Sequence, residues 1–245
     1  MRDTLSDIIK QTNGLFPSLY VEGTDTETSI RAMTDDKNLI LSCVPKAPLV
    51  DLRGEVGIND LGILNGLLNF SSYNSEDASF TVQRANRQGK EFAELFSFRD
   101  GKKAGSNFRL ANPATIPDDK VPPKVNTIAW EIEFEPNKSK VTEFTQLANL
   151  YSKGDNFFAP KTQDSDLLFL LGEETSTTHN ASIVFEENVT AELKGTARYS
   201  IASFLALMKL SSQHPVRLGL TSRGVMGVSM ETSYATYSFV LRANR

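Results

Sequence analysis

Apolar residues recur along this chain with two different periods, and the period switches several times. Leu5, Ile8 and Ile9 lie at helical spacing, with Thr4 placed to cap the helix, Asp7 near the positive end of its dipole and Gly14 to close it. Residues 18–22, 28–34 and 39–44 then form three strand-like runs, the last two joined by the polar turn Asp35-Asp36-Lys37-Asn38. Pro45 and Pro48 break the pattern, and an extended piece over 49–56 leads to Asn59, which reads as the N-cap of a helix over 59–70. That helix sets Leu61, Leu64, Leu67 and Leu68 on one side. Its Gly62 and Gly66, four residues apart, leave room for another backbone at a cost of about 1 kcal/mol each in helix propensity. Strands are predicted at 78–84, 91–98 and 107–111, separated by turns at 87–90 and 100–103.

Residues 112–126, NPATIPDDKVPPKVN, hold four prolines in 15 positions, too many for a helix or a central strand. Beyond them the pattern starts again. A strand over 128–135 precedes a helix over 139–151 with Val141, Phe144, Ala148 and Tyr151 on one face. Strands at 167–171 and 182–186 follow, then a helix within 198–212 carrying Ile201, Phe204, Leu205 and Met208, and strands at 216–220, 225–230 and 234–241. Each half has two helices and about six strands, and each half carries 13 basic and 15 acidic residues. The reading is an α+β chain of two similar domains, 1–112 and 127–245, joined by a Pro-rich connector at 113–126. The layout suggests structural duplication, although no residue-level repeat is visible.

Composition narrows the class. At 245 residues, one large domain or two of roughly 110 to 130 are both allowed. Phe is abundant, 15 residues against six Tyr and one Trp, which supports a sizeable core. The single cysteine, Cys43, permits no internal disulfide and fits a reducing cytosol. No run approaches a membrane span and the polar start MRDTLSDIIK is unlike a secretory leader, so a cytoplasmic location is expected and the four glycosylation sequons read as chance.

Charge is segregated in the second half. Residues 193–230 contain five basic residues (Lys194, Arg198, Lys209, Arg217 and Arg223) and no acid, whereas 162–193 contain seven acids and no Lys or Arg. In a chain of net charge -4, an apolar helix with Arg198 and Lys209 near its ends can mark a surface facing a polyanion. It can equally reflect a sheet and a helix that differ in charge.

Catalytic signals are sparse. His179 and His214 stand in no metal-ligand spacing and no CxxC exists. Cys43, at a strand end, reads as a small buried apolar residue. GKKAGS at Gly101 lacks the form of a phosphate loop, Gly227-Val-Ser-Met misses a nucleophile elbow, and Glu186-Glu187 reads as a solvated strand end. No catalytic residue, metal site or cofactor is therefore expected. Binding chemistry is better represented. Lys138 and Lys140 sit at the start of a helix, where cations oppose the dipole by about 0.3–1 kcal/mol each, so they are not there for helix stability. Surface drift explains them, or a helix face that meets phosphate, with Lys153 just past its far end. Such contacts hold DNA without reading it, and no recognition-helix or base-stacking pattern is present.

Two domains of matching layout, a mid-chain proline connector, an acidic total and basic helices resemble a sliding clamp, and specifically the DNA polymerase processivity clamps of T-even-type bacteriophages. The resemblance rests on residues 51–70, where a DLxG-type strand runs into LGILNGLLN, and on 203–210, SFLALMKL, similar to that family's Met-Lys-Met helix end. The connector, the helix over 141–151 and the closing strand over 234–241 match in place. The resemblance implies a homotrimeric ring with helices lining a central hole and sheets outside, enclosing double-stranded DNA without sequence specificity. It also implies a clamp loader ATPase that opens the ring, a DNA polymerase tethered by a terminal peptide, and a host bacterial cytoplasm. Carried over by position, Lys10, Lys138, Lys140, Lys153, Arg198 and Lys209 are the implied DNA-facing residues. Val44, Ile116, Pro117, Val121 and Val225 are the implied peptide-binding residues. The chain departs from the pattern in extra length between 151 and 191, and in a second helix with no basic residue. Two other classes stay open: a phage accessory or structural protein of two β-rich domains, and an enzyme without recognisable motifs.

Overall fold

A computed structural model describes residues 1–87, 89–112, 121–125, 127–151, 156–172 and 179–244, with backbone alone at 87 and 90. The chain divides into two compact units. Met1–Asp35, Ile40–Val125 and Thr232–Tyr237 form the first; Asp36–Leu39, Asn126–Glu231 and Ser238–Arg245 form the second. Two short pieces thus belong to the opposite unit from the one a single cut at the connector gives them.

The first unit runs α1 (Arg2–Thr12), β1 (Ser18–Gly23), β2 (Thr28–Met33), β3 (Leu39–Pro45), β4 (Gly54–Asn59), α2 (Leu61–Leu68), β5 (Ser79–Arg87), β6 (Lys90–Arg99) and β7 (Gly105–Arg109). Its strands make an antiparallel array in the order β4-β1-β2-β3 and a three-stranded meander β5-β6-β7. Leu5, Ile8 and Ile9 of α1 and Leu61, Leu64 and Leu68 of α2 are buried. Phe80 of the meander meets Phe98 at 5.0 Å in a tilted pair, and Tyr73, ahead of β5, stacks on Phe98 at 5.6 Å.

The second unit runs β8 (Ile132–Phe134), α3 (Lys138–Tyr151), β9 (Phe157–Gln163), β10 (Asp166–Leu171), β11 (Ala181–Glu186), β12 (Tyr199–Ser200), α4 (Ile201–Met208), β13 (Val216–Thr221) and β14 (Val225–Glu231). The closing strand β15 (Ala235–Arg242) gives its first three residues to the first unit and the rest to the second. Here the strands order as β11-β10-β9-β12 and β14-β13-β8. The abundance of Phe is explained by this unit's core. Phe144 of α3 meets Phe158, Phe169 and Phe204 at 5.1, 5.6 and 5.4 Å, while Phe169 stacks on Phe185 at 4.1 Å. Edge-to-face and stacked pairs of this kind add about 0.5–1.5 kcal/mol each beyond burial.

Several boundaries differ from the expectation, each for a local reason. Helix α1 begins at Arg2 and places Thr4 inside its first turn, because Arg2 donates to the carbonyls of Leu68 and Tyr73 and draws that turn in. Asn59 stays in β4, paired with Ser18, and Asp60 in a left-handed conformation (φ 50°) starts α2 instead. The glycines of α2 receive no backbone: nothing lies within 4 Å of a Cβ built on Gly66, and only a side-chain oxygen of Asn13 approaches Gly62. The strand expected over 128–135 shrinks to β8, with Trp130 ahead of it laid across Gly219 and Gly227. Strand β9 was missed because Pro160 interrupts its pattern. Its neighbour β12 pairs only with Phe157 and Phe158, so the absent proline N–H faces no partner there. Helix α4 starts at Ile201 after the cap Ser200, whose hydroxyl accepts from Ser203 N at 3.2 Å. It buries Leu207 in place of Leu205 and ends in a 3-10 turn over Lys209–Ser212.

Candidate nucleic-acid interface

Helices α1 and α2 pack together in the first unit, and α3 and α4 in the second. In the second pair the chain directions oppose. Lys138, the first residue of α3, shares a cleft of about 310 Å³ with Glu135, just ahead of α3, and with Ser211, Ser212, Gln213 and His214, which follow α4. Lys138 therefore stands at the same end of the helix pair as the turn that carries Lys209. Both lysines are exposed, and neither has an ion pair among the described residues. Asn137 starts α3 by accepting from Ser139 N at 2.9 Å and Ser139 Oγ at 2.8 Å, which leaves Lys138 unengaged in the cap.

The other expected basic residues fare differently. Lys140 is half-buried and spans 3.3 Å to Glu143 one turn on, so much of its charge is answered locally. Arg198 sits ahead of α4 with its guanidinium 5.8 Å from the Phe157 ring, and its carbonyl accepts from Asn244 N. Lys10 is exposed in the last turn of α1, the favourable end of that helix for a cation. Lys153, Ile116 and Pro117 lie outside the described residues.

The acid-free block does not make one surface. Arg217 pairs with Glu133 at 3.8 Å across β13 and β8, Arg223 lies in the β13–β14 turn, and Lys194 bridges Lys161 beside β9. Only Arg198 and Lys209 attend the helix. Four of the acids of 162–193, by contrast, do gather: Asp164 in the β9–β10 turn and Asp166 at the start of β10 lie at the end of the sheet where β11 ends at Glu186, followed by Glu187, with Val189 N bonded to Ser165 O. Burial, then the charge of Glu187, pushes the Glu186 carboxyl up. Helix α2 carries no charged residue; its Ile63 is 61% exposed, and Phe70, two residues past its end, is 52% exposed.

Among the peptide-binding candidates, Val44 is 53% exposed on β3 and Val121 is half-buried, both in the first unit; Val225 is half-buried in the second. Two exposed apolar neighbours in the first unit were not anticipated. Val50 follows in the 3-10 turn after β3, and Tyr234 accepts at its carbonyl from Lys46 N, two residues beyond Val44. No sequence pattern marks them, since each is a single residue beside a turn.

Buried titratable groups serve the frame. Asp7 accepts from Thr232 Oγ1 and Tyr237 Oη at 2.7 Å each, which ties the closing strand to α1. Burial pushes both the Tyr237 hydroxyl and the Cys43 thiol up, so Cys43 is no thiolate nucleophile at neutral pH. Among the described residues no group of three or more His, Cys, Asp or Glu could hold a metal ion. No helix among them is long and apolar enough to cross a membrane.

This arrangement, antiparallel sheets and helix pairs in two units, is the two-domain fold of the DNA clamps. Proliferating cell nuclear antigen (PCNA) from Thermococcus kodakaraensis is similar over 100% of this chain and 97% of its own, with a TM-score of 0.63 and 9% identity. PCNA from A. fulgidus, solved with the C-terminal region of FEN-1 bound, covers 100% and 96% with a TM-score of 0.61 and 12% identity. That from Entamoeba histolytica covers 100% and 96% with a TM-score of 0.64 and 10% identity. No family model matches the sequence, and no curated protein matches it. The similarity is one of fold.

Proposed function

We propose that this chain is a subunit of a sliding clamp: a homotrimeric ring that encloses double-stranded DNA, without sequence specificity or catalysis, and tethers a DNA polymerase. The observation that carries the reading is the match of the whole chain, end to end, with three clamps. The grouping of Lys138 with the turn that carries Lys209 adds to it. Enclosure holds a ring on DNA by topology, so a few exposed cations per subunit suffice, and an acidic protein stays mobile on an acidic polymer. On this reading Lys10, Lys138, Lys153, Arg198 and Lys209 face the duplex, and Lys140 contributes less because Glu143 answers it. Val44, Ile116, Pro117, Val121 and Val225, now joined by Val50 and Tyr234, receive an apolar peptide from the polymerase, and a clamp loader ATPase opens the ring. The proposed setting is a T-even-type bacteriophage in its bacterial host's cytoplasm.

The test is topological. Labelled chain is threaded onto a linear duplex and its residence is timed with the DNA ends open, then with both ends blocked by a bulky protein. Residence that lengthens many-fold when the ends are blocked supports enclosure. Equal residence in both states overturns it.

A further inference from the structure

Strand β2 buries three successive residues, Ile30, Ala32 and, between them on the opposite face, Arg31, which is only 6% exposed. A buried guanidinium needs partners for its charge and its donors. Pro122 and the neighbouring strand β1 supply them for the two Nη atoms, while Nε is buried without a hydrogen-bond partner among the described residues. Arg31 Nη1 donates to the Pro122 carbonyl at 2.6 Å, Nη2 donates to the Glu22 carboxylate at 2.9 Å, and the guanidinium carbon stands 5.0 Å from the ring of Tyr20. The other oxygen of Glu22 accepts from Lys124 Nζ at 3.2 Å. Pro122 is itself buried, and as a proline it has only its carbonyl to bond.

We infer that Arg31 is the latch of a strap: it holds residues 121–125 against β1 and β2, and so fixes where Val121 stands. The hold has two layers. The outer pair, Lys124 with Glu22, is 70% and 36% exposed and is screened by salt. The bond from Arg31 to the Pro122 carbonyl is buried and is not, while its bond to Glu22 is half-buried. A partner's charge can therefore exchange with Lys124 while the strap stays latched, and the strap lifts only when Arg31 lets go of Pro122. The inference does not depend on the clamp reading, because every contact lies within the first unit.

Native-state trypsin digestion of the full chain tests it, with the Lys124–Val125 cut timed by fragment mass against cuts at Lys102 and Lys103 in the exposed β6–β7 turn. Arg31→Met removes the latch and leaves Glu22 to Lys124, so no buried charge is orphaned. The Lys124–Val125 cut should then speed up about tenfold or more relative to the turn, in line with the loss of charged hydrogen bonds. A relative rate within about twofold of wild type overturns the latch. If Arg31→Met accelerates every cut by unfolding the unit, the unaltered chain decides. Raising salt from about 0.05 to about 0.5 M should change its relative rate less than threefold. A tenfold rise would mean that the exposed pair alone holds the strap, and would overturn the inference.

Discussion

Trp130 gives a prediction whose sign depends on one contact. It lies across Gly219 and Gly227, which face each other on β13 and β14. A Cβ on Gly227 would stand 2.4 Å from Trp130 Cη2, 2.7 Å from Cζ2 and 3.1 Å from the Phe239 carbonyl oxygen. Carbon atoms pack at about 3.5–4.0 Å, so Gly227→Ala must lift the near edge of the ring by about 1 Å. Overpacking of that kind costs about 1–3 kcal/mol. Were the ring absent, the same substitution at an ordinary backbone angle would stabilise by about 0.4–1 kcal/mol through the unfolded chain. The balance is a loss of about 0.5–2 kcal/mol, or a midpoint lower by about 2–6 °C for a chain of this size. Trp130 is the only tryptophan, so its emission follows the seat directly: a red shift in Gly227→Ala, with melting followed at the same wavelength. An unshifted emission with a raised midpoint would refute the seat.

Three further outcomes follow from the packing and the charges. Phe204→Ala opens the centre of the phenylalanine core and should cost about 3–5 kcal/mol in the second unit, read by hydrogen exchange at β9 and β10. Reversing both Lys138 and Lys209 to Glu should leave far-UV dichroism unchanged and flatten the salt dependence of duplex binding by about two units of slope, whereas Lys140→Ala should do less. Burial, then the hydrogen bond to Glu55 and its charge, pushes the Tyr20 hydroxyl up to about 12 from 10.0. A raised value means the fold favours the protonated form, so this stabilisation is full below pH 10 and lost as pH rises toward 12. Tyr20→Phe should therefore show a shallower fall in denaturation midpoint across that window, and an equally steep fall would contradict the assignment.

Periodicity was a good guide where one face of an element alone is buried. Strands β10 and β11 bury alternate residues and α3 buries Phe144 and Ala148 on one face, while β1 to β3, buried on both faces, were legible as short apolar runs between polar turns. It failed where a long-range partner decides the outcome. Pro160 hid β9, since nothing local tells that the neighbouring strand stops short of it. The buried role of Arg31 depends on a carbonyl 91 residues away. The seat of Trp130 over Gly219 and Gly227 joins residues about 90 positions apart and leaves no local mark in the sequence. The same limit applies to the candidate site. The basic residues could be counted in the sequence, but only the opposed directions of α3 and α4 bring Lys138 to the turn that holds Lys209, and only the fold sends Arg217 to Glu133.

Light scattering across a concentration series in moderate salt tests the ring most directly, because it depends on no DNA or partner. A homotrimeric ring gives a mass three times that of the 27.1 kDa chain at the upper concentrations, falling only on dilution. A mass of one chain or of two at every concentration would contradict it.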